Sequence, residues 1–177
     1  MSILKVARMG HPVLRVPVRP LDRAEIASTT IQQLIDDMIE TMEEYRGVGL
    51  AAPQVHEGVR LFVASLDAEE SGDTRSEPVA IINPEIIVVG REMVEDWEGC
   101  LSIPEVRGRV PRAKEIKVRA FDRQGERVEL SALDFPARVI QHETDHLDGI
   151  LFFDRMRSLA SLTFLEEYRR FWTKDKD

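Results

Sequence analysis

The chain of 177 residues contains one cysteine, Cys100, so no disulfide can form within it. That thiol is therefore a small hydrophobic side chain of the core, a reactive group or a metal ligand. The sequence also lacks a run of eighteen apolar residues, and its first five residues lack the basic-then-apolar order of a secretory signal. We therefore expect neither membrane insertion nor export, and we expect a cytoplasmic protein.

An excess of positive charge is missing as well. The formal net charge is −8, which disfavours a broad nucleic-acid surface because such a surface must be basic. We therefore expect no DNA partner. The hydrophobic fraction of 43% and the charged fraction of 32% are ordinary for a globular protein, and the length suits a single domain spanning residues 1–177.

The most informative segment is His142-Glu143-Thr144-Asp145-His146. Residues four apart project from the same side of an α-helix, so His142 and His146 can converge on one metal ion. Glu143 can then reach a water bound to that ion and take its proton. The same spacing also arises by chance on a solvated helix that carries two unrelated histidines, so residues elsewhere must decide between these interpretations.

The residues around this segment predict a helix over about 134–147. Asp134 is predicted as its N-cap, and Gly149 suits the left-handed residue that often ends a helix. Phe135 and Val139 share the face of the two histidines. The histidines are therefore expected beside either an apolar pocket or ordinary core.

The rest of the sequence predicts an α+β fold. Apolar residues at three- and four-residue intervals predict a long N-terminal helix over about 28–45. Alternating or β-branched residues predict strands at about 59–63, 81–89, 116–120 and 128–130. A polar loop is predicted over 69–77. The stripe of Leu162, Leu165, Tyr168 and Trp172 predicts a C-terminal helix over about 158–173 that packs on the body of the protein. The order of helix, antiparallel strands and two helices is typical of an α+β protein.

Two further segments are too unusual to be simple connections. They are Gly47-Val48-Gly49-Leu50-Ala51-Ala52-Pro53-Gln54 and Glu98-Gly99-Cys100-Leu101-Ser102. Followed by Gln141-His142-Glu143-Thr144-Asp145-His146-Leu147, they give the three motifs of the peptide deformylase family in the family's order. The chain resembles that family from Gly10 to Phe152. The resemblance implies an α+β fold in which antiparallel β-sheets surround a central metal-binding helix.

The resemblance also implies the roles of the site residues. The implied metal ligands are Cys100, His142 and His146. Glu143 is the implied catalytic acid and base, and the implied oxyanion donors are Gln54 and the backbone N–H of Leu101. One thiolate and two imidazoles leave a fourth position for water, which is typical of a catalytic site. The implied reaction removes the N-formyl group from the initiator methionine of a new polypeptide and releases formate.

The resemblance implies Fe²⁺ as the metal used in cells, with Ni²⁺, Co²⁺ or Zn²⁺ able to replace it. A cysteine and two histidines suit several of these ions, so the ligands alone leave the ion open. The implied partners are the N-formylmethionyl nascent chain and, transiently, the ribosome. The tail from Asp154 to Asp177 has six basic and five acidic residues, a net charge of only +1, which weakens the case for ribosome contact.

An apolar slot is expected to hold the methionine side chain. Its predicted lining is Val48, Gly49 and Val139, and Arg107 matches a family position that contacts the substrate backbone. Arg138 stands where some relatives have an apolar residue. We expect it to point to solvent or to form a salt bridge.

Two alternatives have different requirements. A zincin-type metalloprotease shares the two-histidine helix but takes its third ligand downstream, whereas the thirty-one residues after His146 contain no histidine. Cys100, which is upstream, fits better. A non-catalytic, metal-stabilised binding module would keep the three ligands but would have no use for Glu143 or Gln54.

Overall fold

The computed structural model describes residues 2–66 and 77–173, so the predicted polar loop lies almost entirely outside the described residues. The first two helices are α1 (Arg23–Ile26) and α2 (Thr29–Glu44). The Ser28 hydroxyl accepts a hydrogen bond from the N–H of Ile31 and so caps α2. One face of α2 is buried, and it includes Ile31, Ile35, Met38 and Met42.

Within the described residues, six strands form an antiparallel sheet. They are β1 (Gly49–Ala51), β2 (Leu61–Ala64), β3 (Val79–Cys100), β4 (Ile103–Phe121), β5 (Arg127–Leu133) and β6 (Thr163–Phe164). Their order is β1-β2-β3-β4-β5, and β6 pairs with β4 beside this series. This antiparallel sheet with helices is an α+β architecture, as the sequence predicts. β3 and β4 form a long hairpin whose pairing shifts register at three places, and its tight turn consists of Leu101 and Ser102.

Helix α3 (Asp134–Leu147) begins where β5 ends. The prediction that Asp134 is the N-cap is wrong, because Leu133 occupies that position and no side chain caps the helix. Asp134 instead has a φ of 54°, in the left-handed region, where the chain passes from strand to helix. After the helix, Gly149 has a φ of 73°, and α4 (Phe152–Arg155) follows. The residues of α3 from His142 to His146 are all buried, so this polar run needs partners inside the protein.

The C-terminal segment differs from its predicted form. Instead of one helix over 158–173, the chain makes a 3₁₀ turn at Leu159–Ser161, then β6, and then the short helix α5 (Leu165–Phe171). The helix is interrupted by a non-local interaction, because residues 163–164 pair with residues 106–107 of β4 and so belong to the sheet. None of the residues of α5 is fully buried.

Three clusters of buried apolar side chains lie around these elements. One joins α2 to β1 and β2, the second packs the sheet against α3, and the third joins the end of the β3–β4 hairpin to α4. The second cluster fixes α3 by way of Val139, Ile140 and Leu147. No helix in the described part of the chain has both the length and the apolar character needed to cross a membrane.

Candidate metal centre

The three predicted ligands come together in the structure. Cys100 ends β3, and His142 and His146 lie one turn apart on α3. One ligand atom from each of these side chains lies within 4.8 Å of the other two, and Cys100 Sγ is 3.2 Å from Nε2 of His146. One sulfur and two nitrogens at this spacing fit a single divalent ion with an open position. Across the described residues, this is the one group of three or more side chains placed to hold a metal.

A buried carboxylate fixes the orientation of His142. Nδ1 of His142 is 2.8 Å from Oε2 of Glu98. Burial raises the pKa of Glu98, but hydrogen bonds from Arg112 and His142 outweigh burial and lower it far below its ordinary value. The ionised carboxylate only accepts, so Nδ1 of His142 carries the proton that faces it, and Nε2 is the nitrogen that faces the candidate metal position.

The remaining bonds to Glu98 come from two buried arginines. Nε and Nη2 of Arg112 donate to its two oxygens at 2.8 and 3.0 Å, and Nη1 of Arg138 donates to Oε1 at 2.8 Å. Arg138 also donates to the carbonyls of Val94 and Val110, and it is only 7% exposed. Of the two expectations for Arg138, the salt bridge is therefore correct and exposure to solvent is wrong.

The network continues along α3 through Asp145. Its carboxylate accepts hydrogen bonds from Arg112 and from Arg155 of α4. Arg112 therefore bridges Glu98 and Asp145. The sequence motifs predict no role for Glu98, Arg112 or Asp145. Glu98 and Asp145 lie inside the motifs and could have been suspected, but Arg112 lies 33 positions from Asp145 and has no local signal.

The metal-free cluster is electrostatically coupled. Burial raises the pKa of the Cys100 thiol, but the two imidazoles outweigh burial and hold it well below its ordinary value. Burial lowers the pKa of His142, whereas Cys100 and Glu98 raise it well above its ordinary value. The lowered pKa of Cys100 favours the thiolate form, which is the form that binds metals.

Glu143 is buried beside the ligands but is not held as Glu98 is. It is 4% exposed, and its Oε2 has no hydrogen-bond partner among the described residues. Burial raises its pKa more than His142 and His146 lower it. A carboxylate with a raised pKa and a free oxygen is suited to accepting and returning a proton. Gly49 makes room for it, because a Cβ at that position would lie 2.5 Å from Oε1 of Glu143.

Gln54 points its amide nitrogen into the site. It lies in a 3₁₀ turn at Ala52–Val55, where its Oε1 accepts from the N–H of Ala51 at 2.8 Å. This bond leaves Nε2 as the inward group, and Nε2 lies 3.1 Å from Oγ of Ser102 and 3.5 Å from Sγ of Cys100. Leu101, in the hairpin turn, lines the same pocket. Ser102, which the sequence left unassigned, therefore helps to orient the amide.

A cavity of about 370 Å³ opens beside the three ligands. Every predicted substrate-contacting residue lies on its wall, namely Val48, Gly49, Val139 and Arg107. Phe135 and Arg138 join Val139 on the α3 side. Gly99 allows Arg107 to lie against the hairpin, because a Cβ there would be 1.6 Å from Nη1 of Arg107. The cavity thus combines an apolar wall, a cation and the metal-ligating groups.

The third member of the candidate metal-binding group lies upstream of the two histidines, whereas a zincin-type protease takes its third ligand downstream. Glu166 and Glu167, the two glutamates downstream of the histidines, belong to α5 and are absent from the candidate metal-binding group. Cys100 completes the group that could hold a metal ion.

Comparisons with known proteins agree with the geometry. The sequence model of the polypeptide deformylase family matches residues 3–161. Peptide deformylase 2 of Nostoc sp. is 43% identical, covering 98% of this chain and 97% of its own length. Peptide deformylase of Heliobacterium modesticaldum is 45% identical, covering 89% of this chain and 97% of its own.

Solved structures are similar over most of the chain. The Met-Ala-Ser-bound class I type b peptide deformylase of Acinetobacter baumannii has a TM-score of 0.82 at 42% identity, covering 88% of this chain and 100% of its own. The peptide deformylase of Thermotoga maritima has a TM-score of 0.81 at 40% identity, covering 89% of this chain and 100% of its own.

Proposed function

The chain belongs to the polypeptide deformylase family, and from this premise we propose that the cavity beside Cys100, His142 and His146 is its catalytic centre. Enzymes of this family are metal-dependent hydrolases that remove the N-formyl group from nascent peptides. The resemblance predicted from three sequence motifs is confirmed. The observation that carries the assignment of the centre is the meeting of three potential ligand atoms within 4.8 Å, beside an Oε2 of Glu143 that has no hydrogen-bond partner among the described residues.

The proposed ligands of one divalent ion are Sγ of Cys100, Nε2 of His142 and Nε2 of His146. When bound, the ion supplies Lewis acidity, which polarises a carbonyl and makes a water molecule easier to ionise. We propose Fe²⁺ as the cellular ion, with Ni²⁺, Co²⁺ or Zn²⁺ as substitutes. Fe²⁺ beside a thiolate is sensitive to oxygen, so aerobic purification should lose activity that Ni²⁺ preserves. Equal activity of the iron and nickel forms after long exposure to air would contradict this proposal.

Glu143 is the proposed proton carrier. Its raised pKa allows it to take a proton from the attacking water and to return that proton to the leaving amine as the formamide C–N bond breaks. Its burial keeps bulk water from competing for the proton. The products of the proposed step are formate and a peptide with a free amino terminus.

Gln54 and the backbone N–H of Leu101 are the proposed donors to the oxygen on which negative charge develops. The bond from the N–H of Ala51 holds the Gln54 amide in place before substrate arrives. A donor held in advance needs no reorganisation during the reaction, which is what makes such groups effective.

The proposed substrate is an N-formylmethionyl peptide. Val48, Gly49 and Val139 give the cavity an apolar wall for the methionine side chain, and Arg107 can donate to backbone carbonyls. The similar Acinetobacter baumannii enzyme has Met-Ala-Ser bound, which supports a peptide that begins with methionine.

The wider context is also proposed. We place the protein in the cytoplasm as a single domain over 1–177, in which α3 is the central element, with transient contact to the ribosome through the C-terminal segment. The burial of α3 on its metal-binding and opposite faces supports the central position. Deleting residues 173–177 and measuring co-sedimentation with ribosomes tests the contact, and unchanged binding removes the tail from it.

The central test is anaerobic formate release from formyl-Met-Ala, with metal analysis of the same sample. We expect Glu143→Gln to retain its metal and to lose roughly a hundredfold or more of the rate. Glu40→Gln is a matched control, because Glu40 also has a buried, unpartnered oxygen but lies on α2, away from the cavity. Failure of the parent protein with both Fe²⁺ and Ni²⁺, or full activity of Glu143→Gln, would overturn the assignment.

Cys100→Ala separates the deformylase proposal from its metalloprotease alternative. Loss of bound metal is expected if the thiolate is a ligand. Metal content equal to that of the parent would show that the third ligand lies elsewhere.

A further inference from the structure

Helix α5 lies beyond the part of the chain that the family's sequence model matches, which ends at residue 161. One of its side chains nevertheless forms part of the cavity, because Tyr168 lies on the wall together with Trp97 and Arg107. A segment beyond the residues that the family model matches thus contributes to the pocket in which the proposed reaction takes place.

Three aromatic rings attach α5 to the cavity. The ring of Trp97, on β3, is 4.9 Å from that of Tyr168 and 5.4 Å from that of Trp172, centroid to centroid. Tyr168 and Trp172 are four residues apart, so both rings leave the same side of the turn. Tilted and edge-on pairs at these distances are favourable arrangements for aromatic rings. α5 buries none of its own residues completely, and these ring contacts connect it to β3.

The rings of Trp97 and Tyr168 lie at the mouth of the cavity. The side chains of Trp97, Arg107 and Tyr168 are half-buried, whereas His142 and Glu143 at the metal end are buried. Among the described residues, the acids that line the cavity are Glu98 and Glu143, and both belong to its buried end. The mouth therefore presents aromatic surface beside a guanidinium, and none of its described lining residues is a carboxylate.

We propose that α5, acting through Tyr168 and Trp97, forms a selecting wall that favours peptides with an apolar or aromatic side chain shortly after the formylmethionine. The inference rests on the proposed function and deepens it. With the formyl group at the metal end, the following residues must leave through the mouth, past Trp97 and Tyr168. An aromatic side chain there gains ring contacts and can lie against the Arg107 guanidinium.

The test compares three substrates, formyl-Met-Ala-Ala, formyl-Met-Phe-Ala and formyl-Met-Ala-Phe. The parent should prefer at least one phenylalanine peptide by roughly three- to tenfold in kcat/KM, the range of a favourable aromatic pair. The preference should arise in KM, because the wall is remote from the reacting bond. In Tyr168→Ala the ratio should fall towards one, and Tyr168→Phe should restore it because the ring carries the effect.

Phe171→Ala is the matched control. Phe171 is an aromatic residue of the same helix, 59% exposed and absent from the cavity wall, so its removal should leave the preference ratio intact. An unchanged ratio in Tyr168→Ala, an equal loss in Phe171→Ala, or no phenylalanine preference in the parent would overturn the selecting wall. Hydrolysis of formyl-Met-Ala-Ala by the parent tests the proposed function separately, since it requires no preference.

Tryptophan fluorescence provides a readout that does not depend on turnover. The chain has two tryptophans, and both belong to the aromatic group, Trp97 and Trp172. Binding of the product peptide Met-Ala-Phe should change their emission more than binding of Met-Ala-Ala at equal occupancy. The difference should disappear in Tyr168→Ala and persist in Phe171→Ala. Equal responses of the parent to the two peptides would count against contact at this wall.

Discussion

Replacing Arg112 with methionine is the sharpest test of how the metal-binding helix is held. Arg112 is 4% exposed and bridges two buried acids, donating twice to Glu98 and once to Asp145. The substitution keeps an unbranched side chain of moderate length but removes the charge. Glu98 would retain bonds from Arg138 and His142, and Asp145 would retain its pair with Arg155.

Breaking one side of a buried ion pair costs about 3–5 kcal/mol. Because Glu98 and Asp145 each keep another cationic partner, we expect the loss of stability in Arg112→Met to lie near the lower end of this range, at about 3 kcal/mol. For a domain of this length, that free energy corresponds to a fall in Tm of about 6–12 °C. Arg138→Met should cost less, about 1.5–3 kcal/mol, because Glu98 keeps both bonds from Arg112.

Thermal and urea unfolding of the metal-free proteins measure these differences, with Arg119→Met as the control. Arg119 pairs with Glu129 at 3.2 Å, but both side chains are more than half exposed, so the same substitution should change stability by less than about 1 kcal/mol. The expected order of destabilisation is Arg112, Arg138, Arg119. Equal losses at Arg112 and Arg119 would refute the reasoning, because burial would then contribute nothing to the network.

Further predictions concern single contacts. Gly49→Ala should lower kcat roughly a hundredfold at equal metal content, because the added Cβ would lie 2.5 Å from Oε1 of Glu143 and would displace that carboxylate. Normal formate release by this variant would contradict the prediction. Gln54→Leu should also lower kcat by roughly a hundredfold or more through loss of an amide donor, and a change confined to KM would argue against that role. Asp154→Asn should slightly lower the free energy of unfolding at pH 7. Burial raises the pKa of Asp154, but the hydrogen bond from Arg15 outweighs burial and lowers the pKa below its ordinary value. The ionised Asp154 therefore stabilises the fold above its ordinary pKa, and this contribution is lost as the pH falls through the lowered pKa. The difference in Tm from the parent should therefore shrink in acid, and a difference that grows there would show the opposite sign.

The sequence predicts best those features whose information lies within one or two helical turns. The helix predicted from periodicity over 28–45 differs from α2 by one residue at each end. The two histidines four residues apart lie on one face of α3, as their spacing predicts. The cysteine motif lies at a hairpin turn, where the three side chains that could hold a metal meet.

Features set by distant pairing could not be read in this way. The segment 158–173 has the apolar stripe of a helix, but part of its backbone forms β6 and pairs with β4 instead. Arg138 lies on the predicted helix, yet its burial depends on Glu98 and on carbonyls of two other strand segments. Neither local propensity nor motif spacing contains those partners.

Two buried glutamates in the cavity show how environment separates chemical roles. Glu98 accepts bonds from Arg112, Arg138 and His142, and its pKa is held far below its ordinary value despite burial. Glu143 is equally buried, but its Oε2 has no described partner, and burial raises its pKa. The first is thereby kept ionised and can hold His142, while the second can exchange a proton. Glutamine at position 98 should therefore weaken metal binding and stability together, whereas glutamine at position 143 should spare both and remove turnover. The same loss pattern in the two variants would mean that the unequal hydrogen bonding of these acids does not divide their roles.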